Sequence, residues 1–75
     1  MNAATTQADV DATWDRVSKA RNEVSNALSA VERFALRGTG AQRIEAETDY
    51  ANAARSYARA LNLYADTMRA QRSAV

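Results

Sequence analysis

Valine recurs every seven residues through the first half of the chain, at Val10, Val17, Val24 and Val31. Four residues after each stand Trp14, Arg21, Leu28 and Ala35. The second half repeats the device with tyrosine. Tyr50, Tyr57 and Tyr64 are seven apart, and Ala54, Leu61 and Met68 follow each by four. Apolar positions alternating by three and four residues mark one stripe of an α-helix that packs on another helix. No proline interrupts either half. The one break is Arg37-Gly38-Thr39-Gly40. Gly38 suits a left-handed residue that closes a helix. Thr39 followed by Gln42 fits a reciprocal cap opening the next helix, and upstream Thr6 with Asp9, or Asp9 alone, fits a cap for the first helix. The pattern predicts a first helix over about 8–37 and a second over about 40–72.

Folding the chain back at Thr39 brings the two stripes into register. Residues whose numbers sum to about 78 become partners: Val10 with Met68, Trp14 with Tyr64, Val17 with Leu61, Arg21 with Tyr57, Val24 with Ala54, Leu28 with Tyr50. Toward the turn follow Val31 with Glu47 and Phe34 with Ile44. The expected fold is all-α, a single antiparallel hairpin domain over 1–75 with coiled-coil-like heptads. The expected seam is Val10, Trp14, Val17, Arg21, Val24, Leu28, Val31, Tyr50, Tyr57, Leu61, Tyr64 and Met68.

Composition widens this picture. Of the hydrophobic 47% of 75 residues, 18 residues are alanine. Many of these flank the stripes, as Ala51, Ala58 and Ala65 do beside the tyrosines, and small flanks admit a further helix at close range. A chain this short with few large apolar side chains supports a thin core and commonly closes the deficit by oligomerising. A homodimer forming a four-helix bundle is therefore expected. Arg21 and Glu47 intrude on the stripes. A polar group in a seam fixes register and partner. Arg21 is expected to stack on Tyr57 or to reach a carboxylate, Glu23 or one from a second subunit.

The chain has no Cys and no His, which removes thiolate chemistry, the commonest general base and the commonest zinc ligand. Glu45, Glu47 and Asp49 form the one carboxylate cluster, read as charge near the start of the second helix. No cofactor, metal site or enzymatic activity is expected. No apolar run approaches the ~18 residues of a membrane span, and no signal-peptide pattern opens the chain, so a soluble cytoplasmic protein is expected. Net charge is +1, but residues 51–75 carry Arg55, Arg59, Arg69 and Arg72 against Asp66. Arg55, Arg59, Asn62, Leu63, Asp66 and Arg69 are the candidate docking surface for an unidentified protein partner. A phosphate backbone is the less favoured ligand of the same arginines, because nucleic-acid binders carry a stronger basic excess.

The plan resembles several kinds of short helical hairpin. Needle subunits of type III secretion share the length and the two long helices, but have a proline in the turn where this chain has Gly38-Thr39-Gly40. Secreted WXG hairpins place Trp-x-Gly in the turn, whereas Trp14 lies inside the first helix. Ala- and Arg-rich hairpins of phage and mobile elements are similar in size and style; that resemblance implies a small protein that binds and inhibits or adapts another. The alternative, in which the alanine-rich flanks pack without closing, is a structural subunit of a filament, collar or virion.

Overall fold

A computed structural model describes residues 5–73, so the outermost residues of the 1–75 domain lie outside the described range. Two helices make up the fold, α1 (Gln7–Arg37) and α2 (Gly40–Ser73), joined by Gly38 and Thr39. They lie side by side in a rod of 56 × 14 × 14 Å. Among the described residues there is no strand, and no helix is long and apolar enough to cross a membrane.

Both helix starts are closed as their sequences require. Thr6 accepts from the Asp9 N–H at 3.3 Å while its own N–H donates to Asp9 Oδ2 at 3.0 Å. At the hinge, Thr39 Oγ1 accepts from the Gln42 N–H at 3.2 Å and the Thr39 N–H donates to Gln42 Oε1 at 3.0 Å. Each pair satisfies two backbone or side-chain groups that a bare helix start leaves open. The first turn of α2 holds no acid. Glu45, Glu47 and Asp49 come more than a turn in, where the helix dipole has little hold.

The hinge departs from expectation in one respect. Gly38 is not left-handed; it has φ −87° and ψ 157°, and its N–H donates to the Phe34 carbonyl at 2.9 Å. The reason for glycine is space. A Cβ at Gly38 would stand 2.7 Å from both the Phe34 Cβ and the Phe34 carbonyl oxygen. The chain turns tightly over the last turn of α1, and only a residue without a side chain fits under it.

The register agrees with the fold-back arithmetic. The rings of Trp14 and Tyr64 meet at 5.2 Å. Gln71 Nε2 donates to Gln7 Oε1 at 3.3 Å. Both pairs sum to 78, so residues summing to about 77 or 78 lie level along the rod.

The seam itself differs from expectation by one position per heptad. The buried residues are Val10, Val17, Ala20 and Ala46. Together with the half-buried Thr13, Val24, Ala27, Val31 and Phe34 on α1, and Tyr50, Ala53, Tyr57, Ala60, Tyr64 and Thr67 on α2, they form the interior line. Each valine or tyrosine is therefore followed into the seam by the residue three later. The residues four later, Trp14, Arg21, Leu28 and Leu61, are exposed, and Ala54 and Met68 half-buried. The cause is volume. At the observed register Val17 lies level with Ala60, Ala20 with Tyr57, Val24 with Ala53, Ala27 with Tyr50 and Val31 with Ala46. Each of these five layers sets a large side chain against a small one, which lets the two helices close to short range. A leucine or arginine facing each tyrosine would hold them apart. The polar seam residues are satisfied locally: Thr13 Oγ1 donates to the Val10 carbonyl at 2.9 Å and Thr67 Oγ1 to the Leu63 carbonyl at 2.8 Å.

Candidate interaction surface

With the seam fixed, each remaining position falls on one of two sides of the hairpin, because successive residues turn by about 100° around a helix. On one side α1 presents Trp14, Arg21, Leu28 and Ala35, and beyond them Asp11, Ser18, Ser25 and Glu32. On that side α2 presents Ala54, Leu61 and Met68 with Glu47, and beyond them Ile44, Ala51, Ala58 and Ala65. Small residues and large apolar ones dominate. Trp14, Leu28 and Leu61 remain 44%, 41% and 39% exposed there, and Ile44 67%. The other side carries Arg16, Lys19, Glu23 and Arg33 from α1 and Glu45, Asp49, Arg59 and Asp66 from α2. The hairpin thus has an apolar side and a charged side, and its two helices alone cover neither.

On the charged side, near the hinge, an open groove of about 240 Å³ runs between Ala30 and Phe34 of α1 and Gln42, Glu45, Ala46 and Asp49 of α2. The Arg33 guanidinium lies 5.9 Å from the Phe34 ring centre beside it. Among the described residues no three acidic side chains come together as a cation site.

Eight of the twelve expected seam residues are buried or half-buried: Val10, Val17, Val24, Val31, Tyr50, Tyr57, Tyr64 and Met68, the last bordering the apolar side. The other four, Trp14, Arg21, Leu28 and Leu61, are exposed on the apolar side. Arg21 neither stacks on Tyr57 nor pairs with Glu23; among the described residues the one close cation–ring approach is Arg33 on Phe34 and the one ion pair is Arg69 with Asp66. Glu47 lies on the same apolar side as Arg21.

The candidate docking residues are brought together as a stripe on the outer surface of α2. Arg55, Asn62 and Arg69 point away from α1, Arg59 and Asp66 lie beside them toward the charged side, and Leu63 sits at their edge, 40% exposed. Two of the arginines are already engaged. Arg55 donates to Asn52 Oδ1 at 2.7 Å, and Arg69 meets Asp66 Oδ1 at 2.7 Å. Both contacts are within one helix and solvent-exposed, so they cost little to exchange for a partner's groups.

Ser18, Ser25, Glu32 and Ile44 were not legible as surface-forming residues without the seam. Their signal was present, since Ser18, Ser25 and Glu32 are themselves seven apart. Comparison with protein-family models, curated proteins and solved structures found no match to this chain.

Proposed function

We propose that the protein is a non-enzymatic interaction module, a helical hairpin that self-associates through its apolar side into a four-helix bundle and offers its outer surfaces to another protein. The observation that supports this is the asymmetry of the hairpin. One side gathers Trp14, Leu28, Leu61 and Met68 among alanines and serines, with Asp11, Arg21, Glu32 and Glu47 interspersed, and the two helices leave it largely uncovered. Water contact with such a surface is unfavourable by about 25 cal/mol per Å² of apolar area. Small residues between the large ones allow a second pair of helices to approach within the usual range of about 8–10 Å.

The docking stripe of Arg55, Arg59, Asn62, Leu63, Asp66 and Arg69 faces outward in this arrangement and stays free for a partner, to inhibit it or to link it to something else. A structural subunit is the second reading, in which both sides are used and assembly continues without closing. The chemical difference between the sides favours closure, because an apolar side pairs best with its own kind. Sedimentation velocity from about 1 to 100 μM separates the readings. A single dimer species is expected. Mass that keeps growing with concentration would support the open assembly, and a monomer throughout that range would remove self-association from the proposal.

A further inference from the structure

Arg21 stands in the middle of the apolar side with no acid in reach on its own hairpin. Its helical neighbours three and four residues away are Val17, Ser18, Val24 and Ser25, and the α2 residues level with it are Ser56 and Tyr57. Further toward the hinge, Glu32 of α1 and Glu47 of α2 lie nearly level with each other on the same side, two exposed carboxylates, Glu32 near Leu28, Ala35 and Leu36, and Glu47 near Ile44, Tyr50 and Ala51 with Arg43 one turn before it. Ten or eleven residues separate their level from that of Arg21, about 15 Å at 1.5 Å per residue, so no single side chain bridges the gap within one copy.

Resting on the self-association proposed above, we infer that the occupant of the apolar side is a second copy related by a twofold axis across the rod, placed midway between Arg21 and the two acids. Such an axis carries Arg21 of each copy onto Glu32 and Glu47 of the other. Between the two ends it sets the other pairs, with Trp14 level with the partner's hinge and Met68 beyond it. Leu61 of one copy covers Ile44 of the second, Leu28 meets Ser25, and Ala54 meets Ala51. These set two large apolar residues together, a leucine on a serine and two alanines in close approach, and Ile44, 67% exposed in the single hairpin, becomes covered. A twofold axis along the rod is the alternative. It brings Glu32 of one copy beside Glu47 of the other and leaves Arg21 facing alanine, so it opposes like charges and strands a cation on an apolar surface.

The size of the contact is adequate. The crossing stagger leaves roughly 40 Å of shared length, and two helices abreast are about 20 Å wide with side chains. About 800 Å² per copy is then covered, the standard extent of a stable pair.

The test is a charge exchange read by sedimentation and by native mass spectrometry. R21E alone and the double variant E32K/E47K alone each place like charges opposite one another at both ends of the pair. Each is expected to weaken its own dimer by at least about tenfold. Mixed together, the two variants restore both attractions, and a heterodimer at near wild-type affinity is expected, with full helicity by circular dichroism. If either variant loses its helices alone, their return on mixing is the readout. Wild type dimerising while the mixture shows no preference for the heterodimer overturns this arrangement and leaves self-association standing. A monomeric wild type overturns both.

Discussion

The ring of Trp14 packs on that of Tyr64, centres 5.2 Å apart and planes inclined at 56°, which ties the start of α1 to the end of α2. Tyr64 is a seam residue, whereas Trp14 leans over it from the apolar side. The contact therefore both sets the register and begins the exposed surface. Trp14→Ala is expected to lower stability by about 2 kcal/mol, below the cost of a fully buried tryptophan because nearly half of the ring is exposed. Combined with Tyr64→Leu, the double-mutant cycle should show a coupling of about 0.5–1.5 kcal/mol in urea denaturation. Additive losses would mean that the rings do not meet in solution.

The two hinge glycines should respond in opposite directions. Gly38→Ala forces a Cβ to within 2.7 Å of Phe34. Relief requires the hinge backbone to move, at a cost of about 1–3 kcal/mol. Gly40 has nothing within 4 Å of where its Cβ would stand and already lies in α2. Gly40→Ala is expected to raise stability by about 0.4–1 kcal/mol, through lower freedom of the unfolded chain. Thermal unfolding of the two single variants compares them directly.

The hinge cap is worth a separate measurement. Thr39 is the acceptor for the Gln42 N–H and the reciprocal partner of its side chain. Thr39→Ala should cost about 1 kcal/mol, and Thr39→Ser about none. Equal losses for both would show that the methyl group, and not the hydroxyl, matters at this position.

Helix ends, hinge and antiparallel register were all legible in the sequence, because capping residues, a glycine break and a sevenfold repeat act locally and add up. The second seam position was not. After each valine both the third and the fourth residue are compatible with a heptad, and Trp14 and Leu28 look more like core than Thr13 and Ala27 do. What decides is the opposite helix. Tyrosine rings at Tyr50 and Tyr57 need small partners, so Ala27 and Ala20 go inside and the larger residues move to the flank. The conformation of Gly38 was equally hidden, since a left-handed turn and a close backbone approach both call for glycine. The apolar side followed only once the seam was fixed.

That choice of seam can be tested by size. Ala20 is buried at the level of Tyr57, while Ala12 lies exposed and remote from both the seam and the apolar side. Ala20→Leu should destabilise the hairpin by about 1–3 kcal/mol through overpacking. Ala12→Leu should stay within about 0.5 kcal/mol of wild type. If leucine were tolerated at position 20, the interior line would run through the fourth residue after each valine instead.

The arginines near the C-terminus bear on the nucleic-acid alternative. Phosphate binding by this stretch depends on Arg55, Arg59, Arg69 and Arg72 acting together. Arg69 already faces Asp66 at 2.7 Å, and Arg55 is held by Asn52 at 2.7 Å. The adjoining charged side balances Arg16, Lys19 and Arg33 with Glu23, Glu45 and Asp49, so it adds no net positive charge. Four free arginines would give a slope of log affinity against log salt near −3.6 on duplex DNA, at about −0.9 per phosphate contact. With one cation neutralised and acids alongside, a labelled duplex is expected to bind no more tightly than about 100 μM at 150 mM salt, the weak end of non-specific binding. Micromolar affinity with a slope close to four contacts would instead make the outer stripe of α2 a nucleic-acid surface. In that event Arg55→Glu with Arg59→Glu should abolish the binding while leaving helicity unchanged, because both side chains lie away from the seam.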